Sequence, residues 1–202
     1  MKRFGSRLLL AALAIGAAAA APAATVWDES INGDFSGLYN HPSILSLGAG
    51  SNVILGMTGN PGTGTDRDYF TFIVPSGGTL TSITLLDNTF VSGGVSFMGL
   101  QVGSPFSKPA NETQATDLLG FVHYDTGMVG TSLLPFLQGT FNGLPSGVYT
   151  AWVQDTGGGS AEYGFDFVLS GTPVPLPGAA WLLVSGVLGL GAVRRRNRAQ
   201  AA

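Results

Sequence analysis

Chemistry in this chain would have to come from carboxylates. Its twelve acidic residues all lie between Asp28 and Asp166, beside only two histidines and no cysteine. Thiol catalysis, thiolate metal sites and disulfide staples are therefore excluded. The tripeptide Asp-Thr-Gly occurs at Asp125–Gly127 and again at Asp155–Gly157. Two closely paired carboxylates can share a proton and activate water, which would make the protein a hydrolase. The short separation leaves too little chain for two lobes, and Asp-Thr-Gly is an ordinary turn sequence, so turns are the expected role. His41 and His123 lack a nucleophile elbow or an H-E-x-x-H context and are expected at the surface or on strand edges. Two further stretches concentrate oxygen donors: Asp28–Asp34, with Glu29 and Asn32, and the pair Asp66 and Asp68. Hard cations such as calcium take six to eight oxygens, but neither stretch fits the EF-hand loop. Spacing alone leaves open a metal site or solvated charge at a leader and a strand entrance.

The elements that must hold these groups read as strands. Tyr69 to Val74 alternates, with Phe70, Phe72 and Val74 on one face and Tyr69, Thr71 and Ile73 on the other. Leu80–Leu85, the run from Val95 to Val102, Val148–Gln154 and Tyr163–Leu169 follow the same period of two, and glycine-rich turns separate them. Asn52–Met57 and Leu118–His123 are weaker strand predictions. Seven to nine half-buried strands predict an all-β fold, a single antiparallel β-sandwich of jelly-roll-like form. Thr58–Thr65 and Gly103–Ala115 read as exposed loops, and Asn111-Glu112-Thr113, an N-glycosylation pattern, as a polar part of the second. Trp27, Tyr39 and Trp152 offer flat faces that could stack on sugar rings, with core or edge packing as the competing expectation.

The two ends carry a different kind of information. Lys2, Arg3 and Arg7 precede an apolar run, Leu8–Ala20, and the small residues Ala21-Pro22-Ala23-Ala24 follow. That order predicts a secretory signal peptide over residues 1–24 and an exported domain over 25–172. At the other end, within 173–202, come Val174, Pro175, Leu176 and Pro177, then an apolar run, Gly178–Val193, and finally Arg194, Arg195, Arg196 and Arg198. The run would rise roughly 24 Å as a helix. Trp181 and the arginines can extend it at the interfaces of a ~30 Å hydrocarbon core. The arginines are expected to stay cytoplasmic as the membrane stop, with the globular part outside. Setting both ends aside leaves Arg67 and Lys108 against twelve acidic residues, a formal charge of −10. Such a surface repels nucleic acid and anionic lipid and attracts divalent cations or basic partners.

The C-terminal segment resembles the PEP-CTERM class of sorting domains, in the Val-Pro-Leu-Pro variant. Membership implies a Gram-negative envelope, and an exosortase-type transpeptidase that cuts near the proline motif while the helix holds the chain in the membrane. It also implies delivery to the cell surface or the exopolysaccharide matrix. A second resemblance rests on Asp66-Arg67-Asp68-Tyr69-Phe70-Thr71-Phe72-Ile73-Val74-Pro75, the following Gly77-Gly78-Thr79-Leu80, and the strands at Val148 and Tyr163. These look like bacterial pre-peptidase C-terminal domains, secreted β-sandwiches with collagen-binding relatives. That resemblance implies calcium as the one cofactor to consider, at Glu29, Asn32, Asp34, Asp66 and Asp68. The expected function is a non-catalytic, exosortase-sorted surface or matrix protein with a structural or adhesive role. The alternatives are a dedicated carbohydrate- or protein-binding module, calcium-dependent or not, with extracellular polysaccharide as a partner, and more remotely a hydrolase.

Overall fold

The computed structural model describes residues 23–59, 64–137 and 143–171. The expected signal peptide, apart from Ala23 and Ala24, and the Val174–Pro177 motif with its helix and arginines lie outside the described residues.

The described chain is all-β. Ten strands run in the order β1 (Ala24–Asp28), β2 (Ser43–Leu45), β3 (Gly50–Gly59), β4 (Arg67–Val74), β5 (Thr79–Leu85), β6 (Phe90–Val91), β7 (Ser96–Val102), β8 (Gly120–Tyr124), β9 (Gly147–Asp155) and β10 (Ser160–Ser170). A four-residue helix, α1 (Glu29–Asn32), follows β1, and short 3-10 turns occupy Ala115–Asp117 and Thr126–Met128. One sheet has the order β1-β3-β10-β5, with β6 also on β10, and the other the order β2-β4-β9-β7-β8. Most neighbours are antiparallel, as the alternation predicts. The expectation of a purely antiparallel fold is corrected at two edges, because β1 runs parallel to β3 and β2 parallel to β4. Both edge strands come from the segment before β3, which places one strand on each sheet before the hairpins begin.

The two sheets share one core. Phe70 and Phe72 on β4 meet Phe167 on β10, with ring centroids 6.2 and 5.2 Å apart. Ile83 of β5, Met98 of β7 and Val153 of β9 are buried in the same cluster. The outer edge of β5 is covered: Leu133 N donates to Ile83 O at 2.7 Å, and Leu80 exchanges backbone hydrogen bonds with Leu144. Covering an edge in this way removes a row of unpaired backbone groups.

Alternation predicts one buried face, but sheet β2-β4-β9-β7-β8 is covered on both. Tyr69, Phe97 and Trp152 form a second cluster on its outer side, closed by Phe106. Phe106 belongs to the segment expected to be an exposed loop, and it is 1% exposed. That loop is pinned rather than free: Phe106 N donates to Tyr39 O at 3.0 Å. Lys108 Nζ pairs with both oxygens of Asp117, at 2.8 and 2.9 Å. The other expected loop also starts later than predicted, since β3 extends through Gly59.

Truncating Phe72 or Phe165 to Ala removes rings that are fully buried between the sheets. Each change is expected to cost about 3–5 kcal/mol. Ile73→Ala, on the same strand but half exposed, is expected to stay within about 0.5 kcal/mol. Denaturant unfolding of the three variants checks the burial pattern.

Candidate functional site

The site grows from a tightly wound turn at the start of the chain. Asp28 caps α1 by accepting the Ser30 amide and hydroxyl at 2.9 and 2.6 Å. Asn32 reaches back so that its Oδ1 accepts the Asp28 amide at 2.9 Å. Gly33, at φ +87°, ends the helix in a conformation that favours glycine. Trp27 donates its Nε1–H to Gly33 O at 3.1 Å. It also stacks on Phe35, which packs in turn on Phe70. The turn is thereby fastened to the core of the facing sheet, and Glu29 and Asp34 are carried to a fixed place.

Glu29 then bridges two elements. Its Oε1 accepts the Phe35 amide at 3.0 Å, and its Oε2 accepts the Met57 amide on β3 at 2.7 Å. From the other sheet comes Asp68. It shares the strand parity of Phe70 and Phe72, so its carboxylate points between the sheets and is fully buried. One oxygen each of Glu29, Asp34 and Asp68 lies within 4.8 Å of the others. Asp68 Oδ2 accepts the Tyr163 hydroxyl of β10 at 2.6 Å, whereas Oδ1 has no hydrogen-bond partner. An unpartnered buried carboxylate oxygen is costly and calls for a proton or a cation.

The electrostatics follow from that crowding. Burial is the largest cause pushing Asp68 up to about 9, and the charge of Glu29 adds to it against the pull of the Tyr163 hydrogen bond. Burial likewise raises Glu29 to about 7, opposed by the Phe35 and Met57 amides and reinforced by Asp34. Asp66 is raised by burial and then by Asp34. Tyr163 stands well above its ordinary value because it is buried beside Asp68. The two basic residues of the domain are engaged elsewhere: Lys108 pairs with Asp117, and Arg67 donates to Gln154 Oε1 and Thr65 O.

Of the five residues implied as calcium ligands, the fold brings Glu29, Asp34 and Asp68 together. Asp66 lies on the wall of the adjoining cavity, about 530 Å³ in volume, while Asn32 faces a different groove, beside Ala24 and Thr25. Tyr163, Asn88 and Glu162, which complete the cavity, were not singled out by the sequence as site residues. The parity of Asp68 with two core phenylalanines was the sequence signal for its inward turn. The Asp-Thr-Gly tripeptides take the expected turn geometry, with Gly127 N and Gly157 N donating to Asp125 and Asp155 at 2.7 and 3.2 Å. His123 is exposed, against Phe97 and Phe121. Among the aromatics considered for sugar stacking, Trp152 is buried in the outer cluster, Tyr39 packs against it, and Trp27 covers Phe35. No protein-family model matches the chain, and no curated protein matches it either. Among the described residues, no helix is long and apolar enough to cross a membrane.

Raised carboxyl values have a definite sign for stability. The protonated forms fit the folded state better, so their contribution is full below the unfolded value near 4 and fades as pH climbs through about 7 for Glu29 and about 9 for Asp68. In chelator, the melting temperature is therefore expected to fall by several degrees between pH 6 and pH 9.5. Asp68→Asn is expected to flatten that slope, and a scanning-calorimetry series in both proteins measures it.

Proposed function

We propose that this chain is an exported, non-catalytic protein of the cell surface or exopolysaccharide matrix, sorted by an exosortase-type enzyme, whose β-sandwich binds a calcium ion. The observation that carries the calcium reading is the buried Asp68 Oδ1, without a partner and grouped with oxygens of Glu29 and Asp34. The donor set is all carboxylate oxygen, which suits a hard cation and not a thiophilic or imidazole-loving one. Glu29, Asp34 and Asp68 would hold the ion, with Asp66 near enough to add to the field. When bound, the cation would offset the mutual repulsion of these carboxylates and tie α1 to β4.

The strand orders support the finer fold assignment. Removing the parallel edge strands leaves β3-β10-β5 facing β4-β9-β7-β8, and the segment ending at Leu133 lies along β5. That arrangement is the strand order of a jelly roll, a fold used by many binding and structural modules. The export and sorting part rests on the order of signals at the two ends: basic, apolar and small residues first, then Val174–Pro177, the apolar run and Arg194–Arg198. The non-catalytic part is supported by the Asp-Thr-Gly tripeptides acting as local turns.

Two measurements test this reading. Calcium at about 100 times its dissociation constant adds ~2.7 kcal/mol, which for a domain of this size raises the melting temperature by roughly 5–10 °C. The full chain in detergent is expected to show that rise, and Asp68→Asn to lose it. An unchanged wild-type melting temperature would remove the metal from the proposal. For sorting, intact-mass analysis of surface material is expected to give a chain ending near Pro177. A mass that still includes Arg194 to Ala202 would leave the C-terminal segment as an uncut anchor.

A further inference from the structure

We infer that the cavity in front of Glu29 and Asp34 is a saccharide site, taking two adjacent hydroxyls of a neutral sugar, with Asn88 and Glu162 as its specificity residues; this rests on the calcium reading above. The wall carries five carboxylates, those of Asp28, Glu29, Asp34, Asp66 and Glu162, and no basic side chain. Its polar chemistry is thus almost wholly accepting, so the ligand must bring donors. With a cation on the triad, the repulsion between these groups is reduced but the wall stays net negative, which disfavours acidic sugars and leaves a ligand rich in hydroxyl donors. A cation held by three side chains also has coordination positions left for oxygens from outside the protein. The cavity volume, about 530 Å³, lies in the range of small-molecule sites. Leu55 and the half-exposed Met57 add an apolar side for the C–H face of a sugar ring.

The wall is built and not incidental. Gly56 faces Tyr163 across the β3–β10 pairing, and a Cβ there would fall 2.4 Å from the tyrosine oxygen. The missing side chain leaves room for the Tyr163 hydroxyl to reach Asp68. Gly164 does the same for Asn88, whose Oδ1 would be 2.1 Å from an added Cβ. The turn that carries Asn88 is locked to β10: Leu86 N donates to Gly164 O at 2.9 Å, and Gly164 N donates to Thr89 Oγ1 at 3.1 Å. Asn88, which combines an amide donor with an acceptor, is thereby carried on an anchored turn to the cavity that Glu162 also lines. A ligand hydroxyl can donate to Glu162 and accept from Asn88, while a neighbouring hydroxyl meets the cation.

The test is retention of the full chain, in detergent, on immobilised mannan, galactan and dextran. In millimolar calcium, retention on at least one of them is expected, with release by chelator and by free methyl mannoside, galactoside or glucoside. Periodate cleaves vicinal diols, so oxidising that matrix is expected to abolish retention. The double variant Asn88→Ala/Glu162→Gln is expected to weaken retention by about tenfold or more, while keeping the calcium-induced rise in melting temperature. Retention that survives periodate, or is unchanged in the double variant, would overturn the inference. So would a calcium-stabilised protein that none of the three polymers retains, and that result leaves the calcium reading standing. Loss of both the thermal shift and retention would sink the two together.

Discussion

A carboxylate on the core-facing side of a strand constrains much of what surrounds it. Asp68 occupies the position before Phe70 and Phe72 in the β4 alternation, where an apolar residue would ordinarily close the end of the core. Ionised and unpaired, it would cost several kcal/mol, a substantial share of a domain's net stability. The fold responds with Tyr163, whose hydroxyl crosses from the opposite sheet to one carboxylate oxygen. That contact requires a bare backbone at Gly56 and a ring that lies between the layers, stacked on Phe165. The aromatic core and the polar site are therefore one construction, since moving Tyr163 would disturb both.

The remaining oxygen of Asp68 explains the shape of the N-terminal segment. Glu29 and Asp34 are held beside it by a turn with its own cap, its own positive-φ glycine and an indole fastened over Phe35. A segment ordered this carefully brings negative charge toward negative charge, which is unfavourable unless something positive arrives. The two basic residues between Thr25 and Thr172 do not supply it, because Lys108 and Arg67 have partners of their own. Protons can do so in the empty site, since Asp68 is raised to about 9 and Glu29 to about 7. On the proposed reading, a divalent cation outside the cell is the physical alternative.

The sequence made the strands legible because period-two alternation reports which face a residue takes, and Phe70, Phe72, Phe165 and Phe167 all obey it. It could not show the parallel pairing of β1 and β2, since a short edge strand has the same pattern in either direction. Nor could it show that Phe106, set among Gly, Ser, Pro and Lys, would cover Tyr69 and Trp152, because the turn chemistry around it reads as solvent-facing. The site was half legible. Acidic stretches at Asp28–Asp34 and Asp66–Asp68 were visible, but which of their members meet depends on how α1 winds. The i to i+4 bond from the Asp28 amide to Asn32 turns that side chain away, while Glu29, bound to the Phe35 and Met57 amides, is turned in. Asn88 and Glu162 carry no local signature at all, since they come to line one cavity only through the packing of one turn onto β10.

On the reading proposed above, location and structure depend on the same segment. The turn that brings Glu29 and Asp34 to Asp68 starts one strand after the expected leader boundary, and Ala24 is already paired with Asn52 in β1. A cation joining α1 to β4 would therefore fasten the beginning of the exported chain across both sheets, from the β1–β3 edge to the inner face of β4. The carboxylates that destabilise the empty site are the same groups that would make the loaded one hold. On that reading the domain would gain rigidity on reaching a calcium-containing exterior, and without a cysteine. Burying polar groups at the end of a core is a poor way to maximise stability, because apolar packing usually does as well or better. It is a sound way to make stability conditional on the surroundings, and a ligand taken by the cavity beside the conditional element would come under the same control.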